Sequence, residues 1–254
     1  MNNIRYNKKI ENKDFHLIGL LSTLGGYFLF PSFLYITLLF AVKYITPVTD
    51  ELSTTVQIFA QVIAEIPIAI LLIYFCRNIF KIDFAKFKKQ KLNTVLLVIG
   101  GFVAIFFANI LVNLIYEKLG IDTTSANEQA ISQMLANKYY PVILVGIVLF
   151  APLLEEFIFR KFLFGVIEEK LNWKPILAIL ISSSLFSLVH LLSDGGIEWQ
   201  FFFMYFPMAL ILSLSYHYSN NNILVPITIH FINNLMASVF SLIPVGAIWL
   251  SMIN

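Results

Sequence analysis

Seven apolar stretches, each about as long as a bilayer is thick, follow one another along this chain, and that succession constrains the fold more than any other feature. They run over 17–43, 55–76, 93–117, 141–164, 176–193, 199–219 and 223–242. A spanning helix needs about 20 apolar residues and tolerates roughly 17–25. Hydrophobic residues make up 59% of the chain and charged ones only 13%, against about 25% charged in a soluble domain. A water-exposed surface cannot be made from this mixture, whereas a bilayer solvates it. The expected fold class is an all-α polytopic transmembrane helical bundle, a single integral membrane domain over 1–254. It has seven spans, or eight if the apolar residues 243–254 form another.

The first stretch is too long for the 7–15-residue core of a secretory signal, and no small-residue cleavage site ends it. It is expected to be a spanning helix kinked near Pro31. Cys76 is the only cysteine, so no internal disulfide and no multi-thiolate metal site can form. Basic residues gather in three places: Arg5, Lys8, Lys9 and Lys13; then Arg77, Lys81, Lys86, Lys88, Lys89 and Lys91; then Arg160, Lys161, Lys170 and Lys174. If every span crosses once, these share one side, which the positive-inside rule makes cytoplasmic, with the N-terminus. The protein is expected in the cell membrane as a multi-pass chain. Topology accounts for the basic residues, so they give no reason to expect a nucleic acid partner.

Two connecting regions have patterns of their own. Residues 77–92 alternate apolar and basic residues and suit an interfacial amphipathic helix or a loop. Residues 122–136 suit a short helix at the outer surface.

Ionisable residues inside spans are costly and usually face the protein interior. Glu65, just before Pro67, reads as a structural polar residue near a helix distortion, with substrate handling as the other use. Glu155 and Glu156 end an apolar run. Successive helical residues point about 100° apart, so the two carboxylates cannot share a face. Glu156 and Arg160 are four apart and can pair, which leaves Glu155 available for chemistry. At a helix end both acids could equally well meet water. His190 follows Phe186 by one turn, and Ser182, Ser183 and Ser184 suit close helix packing. His230 has Asn234 one turn on, where an amide could orient the ring or donate to an oxyanion. His16 and His217 read as interfacial residues near span ends, with no special role. Convergence of a carboxylate, two imidazoles, an amide and an ion pair would make an acid–base site able to hydrolyse an amide. Two histidines and a carboxylate can also bind a divalent metal, but no spacing here demonstrates one, and HExxH is absent.

Three segments carry a resemblance to a known family. They are EExxxR at Glu155–Arg160, FxxxH at Phe186–His190 and HxxxN at His230–Asn234. In this order, each in or near an apolar span, they resemble the CAAX-protease and bacteriocin-processing (Abi) family of intramembrane endopeptidases. The likeness covers about 125–240, the expected protease-family core. It implies that Glu155 activates water, that His190, His230 and Asn234 stabilise the reaction, and that Glu156 and Arg160 support the site. It also implies an eight-helix bundle with a cavity open toward the cytoplasmic side and the membrane, acting on a membrane-associated peptide or protein in the lipid bilayer. Metal dependence stays open. A catalytically silent binding or bacteriocin self-immunity protein of the same fold is the alternative, and a transporter a more distant one.

Overall fold

The structure is a computed structural model, in which residues 15–193 and 195–242 are described. The basic arm at 5–13 and the eighth-span expectation at 243–254 lie outside them. Among the described residues, six helices are long and apolar enough to cross a membrane. In chain order the helices are α1 Phe15–Lys43, α2 Asp50–Phe75, α3 Arg77–Lys89, α4 Lys91–Leu119, α5 Ala126–Leu135, α6 Tyr140–Lys170, α7 Pro175–Val189, α8 Trp199–Tyr218 and α9 Leu224–Leu242. The fold is all-α and polytopic, as expected. The count differs at α7, whose 15 residues rise only about 22 Å, short of a hydrocarbon core of about 30 Å. The apolar stretch at 176–193 overstated the helix because its end turns at His190 into a two-stranded hairpin, Leu192–Ser193 paired with Gly196–Ile197. Gly196 sits at φ 117° there, which side-chain-bearing residues rarely adopt.

Local chemistry explains most boundaries. Thr49 caps α2 by accepting from the Leu52 N–H at 3.2 Å. Ser125 and Glu128 form a reciprocal capping box at the start of α5. Gly120, at φ 66°, ends α4 in the left-handed conformation. In α1 the backbone widens into a π turn over Gly25–Leu29, just before Pro31. Proline offers no N–H and crowds the carbonyl four residues back, so the distortion lies on its N-terminal side. The 77–92 region forms a helix, α3.

Arg160 and Lys161, counted above among the basic residues of one side, lie within α6, which continues to Lys170, and both are buried. The short helix expected within 122–136 forms over Ala126–Leu135, with Ser125, Met134 and Leu135 buried.

α6 is the central element. Two-thirds of its most apolar window (67%) is buried inside the protein, against 0% for α1 and 6% for α4. The outer helices turn Phe33, Phe75, Leu92 and Phe107 outward, a surface suited to lipid and adverse in water. Chain direction separates two ends. One carries α3 and the connections at 171–174 and 219–223, and it is rich in Lys and Arg. The other carries 44–49, 120–139 and 190–198, where Asp50, Glu51, Glu117, Asp122, Glu128 and Glu198 outnumber Lys43, Lys118 and Lys138. They are called the basic and acidic ends below.

Candidate active site

Around the glutamate pair α6 is not a regular helix. It contains π turns at Gly146–Phe150, Phe157–Leu163 and Val166–Lys170, and Pro152 lies between the first two. Wide turns of this kind break the regular carbonyl ladder and are frequent at functional sites.

Glu156 and Arg160 are both fully buried, with Arg160 Nη1 donating to Glu156 Oε1 at 3.0 Å. Arg160 Nη2 also donates to the Ala209 carbonyl of α8 at 2.9 Å, and its guanidinium lies 4.5 Å above the Phe186 ring centroid. Glu156 has a second partner that the sequence did not suggest: His230 Nδ1 lies 2.8 Å from the same Oε1. A carboxylate only accepts, so Nδ1 donates, and Nε2 points the other way. His190 is held alike. Its Nδ1 is 2.8 Å from the Phe186 carbonyl, also an acceptor only. The His190 ring stacks on Phe186 at 4.6 Å and meets Tyr205 at 5.1 Å, so its plane is fixed from two sides.

Both Nε2 atoms face Glu155. Its Oε2 lies 3.8 Å from His230 Nε2 and 4.0 Å from His190 Nε2. Its Oε1 accepts a hydrogen bond from the Tyr27 hydroxyl at 2.7 Å. Among the described residues, no group of three His, Cys, Asp or Glu is arranged to hold a metal ion. The two Nε2 atoms and Glu155 Oε2 are suitable donor types, and they would have to draw together to serve as ligands. Asn234 is near but engaged: its Nδ2 donates to the Ile147 carbonyl at 3.0 Å, within the first π turn of α6. Asn234 therefore ties α9 to α6, and one N–H of its amide is already spent.

A cavity of about 680 Å³ opens from Glu155, His190 and His230. α2 contributes Gln57 and Gln61, α4 contributes Asn109 and Asn113, and α9 contributes the stretch from Asn233 to Ser241. Except for Tyr27 and His230, the lining residues of the long helices lie at mid-helix or toward the acidic end. The sequence reading expected both that 77–92 is cytoplasmic and that the cavity lies on the cytoplasmic side. These cannot both hold, because α3 is at the opposite end of the bundle from the cavity mouth.

Glu65 lies behind the cavity wall. It is fully buried and accepts from Gln61 Nε2 at 3.2 Å. A Cβ at Gly146 would come within 3.0 Å of Glu65 Oε2, so glycine leaves room for the carboxylate. His16 is buried 3.3 Å from Glu169 at the basic end, not interfacial, because α6 extends far enough to meet it. His217 lies beside Phe164. Neither lines the cavity. Ser182 and Ser183 hydrogen-bond Ser213 of α8 at 3.2 and 3.0 Å, the close packing anticipated for serines. Sequence reasoning missed Tyr27, Tyr205 and the carboxamides. The carboxamides left a signal, since Gln57/Gln61 and Asn109/Asn113 are each one turn apart within apolar helices.

Comparison with known proteins fits this arrangement. Residues 137–236, which contain all seven motif residues, match the family described as Type II CAAX prenyl endopeptidase Rce1-like. The chain is 29% identical over 199 residues to "Putative membrane peptidase YdiL" of Bacillus subtilis (strain 168), covering 78% of this chain and 77% of that one. It is 27% identical over 144 residues to the membrane-embedded CAAX protease MroQ of Staphylococcus aureus (strain USA300), covering 56% of each. A third relative is the UPF0177 protein YbdI of Lactococcus lactis subsp. lactis (strain IL1403), 28% identical over 165 residues, 63% of this chain and 84% of that one. No solved structure matches significantly. The matches bear out the resemblance to the CAAX-protease and bacteriocin-processing family, and they support a membrane protease in general.

Proposed function

We propose that this protein is a glutamate-dependent intramembrane endopeptidase that hydrolyses a peptide bond in a membrane-associated peptide or protein. The observation carrying this reading is the convergence of Glu155 Oε2 with the Nε2 atoms of His190 and His230 at 4.0 and 3.8 Å, at the inner end of a cavity. Atoms about 4 Å apart can share one water within hydrogen-bond distance of each. Glu155 takes a proton from that water as it attacks the scissile carbonyl, then returns the proton to the leaving amine. The carbonyl oxygen becomes an oxyanion, and His190 or His230, carrying a proton on Nε2 as well as on Nδ1, donates to it. The second amide hydrogen of Asn234 is available for the same oxygen.

The surrounding residues hold this arrangement. Glu156 fixes the tautomer and orientation of His230, Arg160 neutralises Glu156, and Tyr27 orients Glu155. A divalent metal held by these donors would polarise the carbonyl or the water, and the residue assignments do not depend on it. The positive-inside rule assigns the basic end to the cytoplasm, so the cavity mouth faces the opposite side. Cysteines introduced at Lys88 and Asp122 should label from opposite sides, and labelling of Lys88 from outside would reverse this orientation.

The deciding experiment is peptide cleavage by the purified protein in nanodiscs. Glu155→Gln should lower turnover about 10²–10⁴-fold at an unchanged unfolding temperature. Undiminished cleavage by that variant would remove Glu155 from the mechanism. A folded wild type that binds peptide and never cleaves it would favour the silent binding or immunity reading.

A further inference from the structure

The carboxamides of this protein are distributed unevenly. The long helices α1, α2, α4, α6, α8 and α9 contain Gln57, Gln61, Asn109, Asn113, Asn233 and Asn234, besides Asn93 and Gln200 near helix starts. All of the first six line the one cavity, and neither of the last two does. A carboxamide inside an apolar helix is costly unless its donor and acceptor are satisfied, and within membranes such groups usually bond across helices. Gln57, Asn109 and Asn113 make no hydrogen bond to any described residue. They stand on two different helices, facing the same space.

The charge of the cavity is equally one-sided. Glu128 and Glu155 line it, with His190 and His230, and the described lining residues include no Lys or Arg. Glu128 lies in the mouth, at the first turn of α5, with one carboxylate oxygen on the Ser125 N–H at 3.2 Å.

Resting on the endopeptidase reading, we infer that the cavity grips an extended internal peptide segment by its backbone, through Gln57, Asn109 and Asn113. We further infer that it selects segments that are neutral or positively charged over chain ends carrying a free C-terminal carboxylate. A peptide drawn below the membrane surface leaves its N–H and C=O groups without water, and each needs a partner. A carboxamide presents one acceptor and two donors, so it complements a peptide group of any sequence. A terminal carboxylate in this cavity would face two carboxylates with no lysine or arginine to compensate it. A lysine or arginine in the segment would instead meet Glu128.

The test uses wild-type protein in nanodiscs and three labelled probes with one apolar hexapeptide sequence, alternating Leu and Ala. One ends in a carboxamide, one in a free carboxylate, and one in a carboxamide with a single Lys added. Fluorescence anisotropy reads affinity and mass spectrometry reads cleavage. The carboxamide probe should bind at least about fivefold more tightly than the carboxylate probe, and the Lys probe at least as tightly as the carboxamide. Asn109→Leu with Asn113→Leu should weaken all three probes about equally. Glu128→Gln should remove the advantage of the Lys probe and narrow the gap to the carboxylate. Equal or tighter binding of the carboxylate probe, no binding of any probe, or unchanged binding after the Asn substitutions in a variant that still folds by thermal unfolding would each overturn the inference. Selective binding without cleavage would leave it standing and sink the endopeptidase reading. Cleavage confined to the carboxylate-ended probe would do the reverse.

Discussion

The two ends of this bundle use similar polar residues to opposite effect. At the basic end, side chains close on one another. Asp83 of α3 accepts from the Ile223 N–H at 2.9 Å, and its backbone carbonyl accepts from Asn222 at 2.9 Å. Asn221 donates to Glu168 at 3.2 Å, and His16 meets Glu169. Toward the acidic end, Gln57, Asn109 and Asn113 line a cavity without such partners. The motif residues lie where the two regimes meet. Glu156 belongs to the closed half, locked by Arg160 and His230, and Glu155 to the open half. Under the proposed function, adjacent carboxylates thereby acquire different work from their surroundings, one structural and one chemical.

The largest effect that could break this contrast is catalytic: Glu155→Gln should cost about 10²–10⁴ in turnover with little change in unfolding temperature. Glu156→Gln should behave oppositely. It leaves Arg160 buried beside a neutral amide, and removing one partner of a buried pair costs about 3–5 kcal/mol. A lowered unfolding temperature should therefore accompany its loss of activity. A Glu156→Gln protein as stable as wild type but inactive would show that both carboxylates do chemistry. Next comes Asp83→Ala, which leaves the Ile223 N–H and the Lys86 ammonium of a 2.9 Å ion pair without their carboxylate. A cost of about 1–3 kcal/mol is expected, measured by thermal unfolding, with the activity of the remaining folded protein close to wild type. Tyr27→Phe removes the hydroxyl that holds Glu155 and should lower kcat by about tenfold, the lower end of what one hydrogen bond to a charged group contributes, with KM little changed. The smallest effect is in pH dependence. Burial first, with Asp122 adding to it, raises the Glu128 carboxyl above its ordinary range. As pH falls through that raised value Glu128 loses its charge, so the advantage of the Lys-bearing probe should fade at a higher pH than for an ordinary glutamate.

Local rules carried the sequence reading a long way. The 3.6-residue period placed Arg160 on Glu156, and the apolar stretches located the six long helices within two residues, except at the start of α2 and the end of α6. Contacts between distant segments were not legible. Tyr27 reaches Glu155 across 128 residues and His230 reaches Glu156 across 74, and nothing in either neighbourhood announces its partner. The length of α7 was also hidden, because hydropathy counts apolar residues and cannot tell a helix from the hairpin that continues it. The direction of the cavity required the three-dimensional course of all the lining helices.

The short α7 has a consequence for the surrounding lipid. One side of the helix, with Ile176, Leu177, Leu180 and Leu185, faces outward, so acyl chains must meet an element about 8 Å shorter than their own preferred thickness. Leu192, Ile197 and Trp199 of the hairpin region are exposed above it, and a tryptophan there suits the headgroup level. The membrane must pinch inward along this flank, at a cost of fractions of a kcal/mol per ångström. That dimple brings the aqueous boundary down toward His190 at the helix end, so under the proposed function a tethered chain would reach the site without being dragged through a full leaflet. Lipids with shorter tails relieve the pinch, so under the proposed function bilayer thickness would itself set the rate.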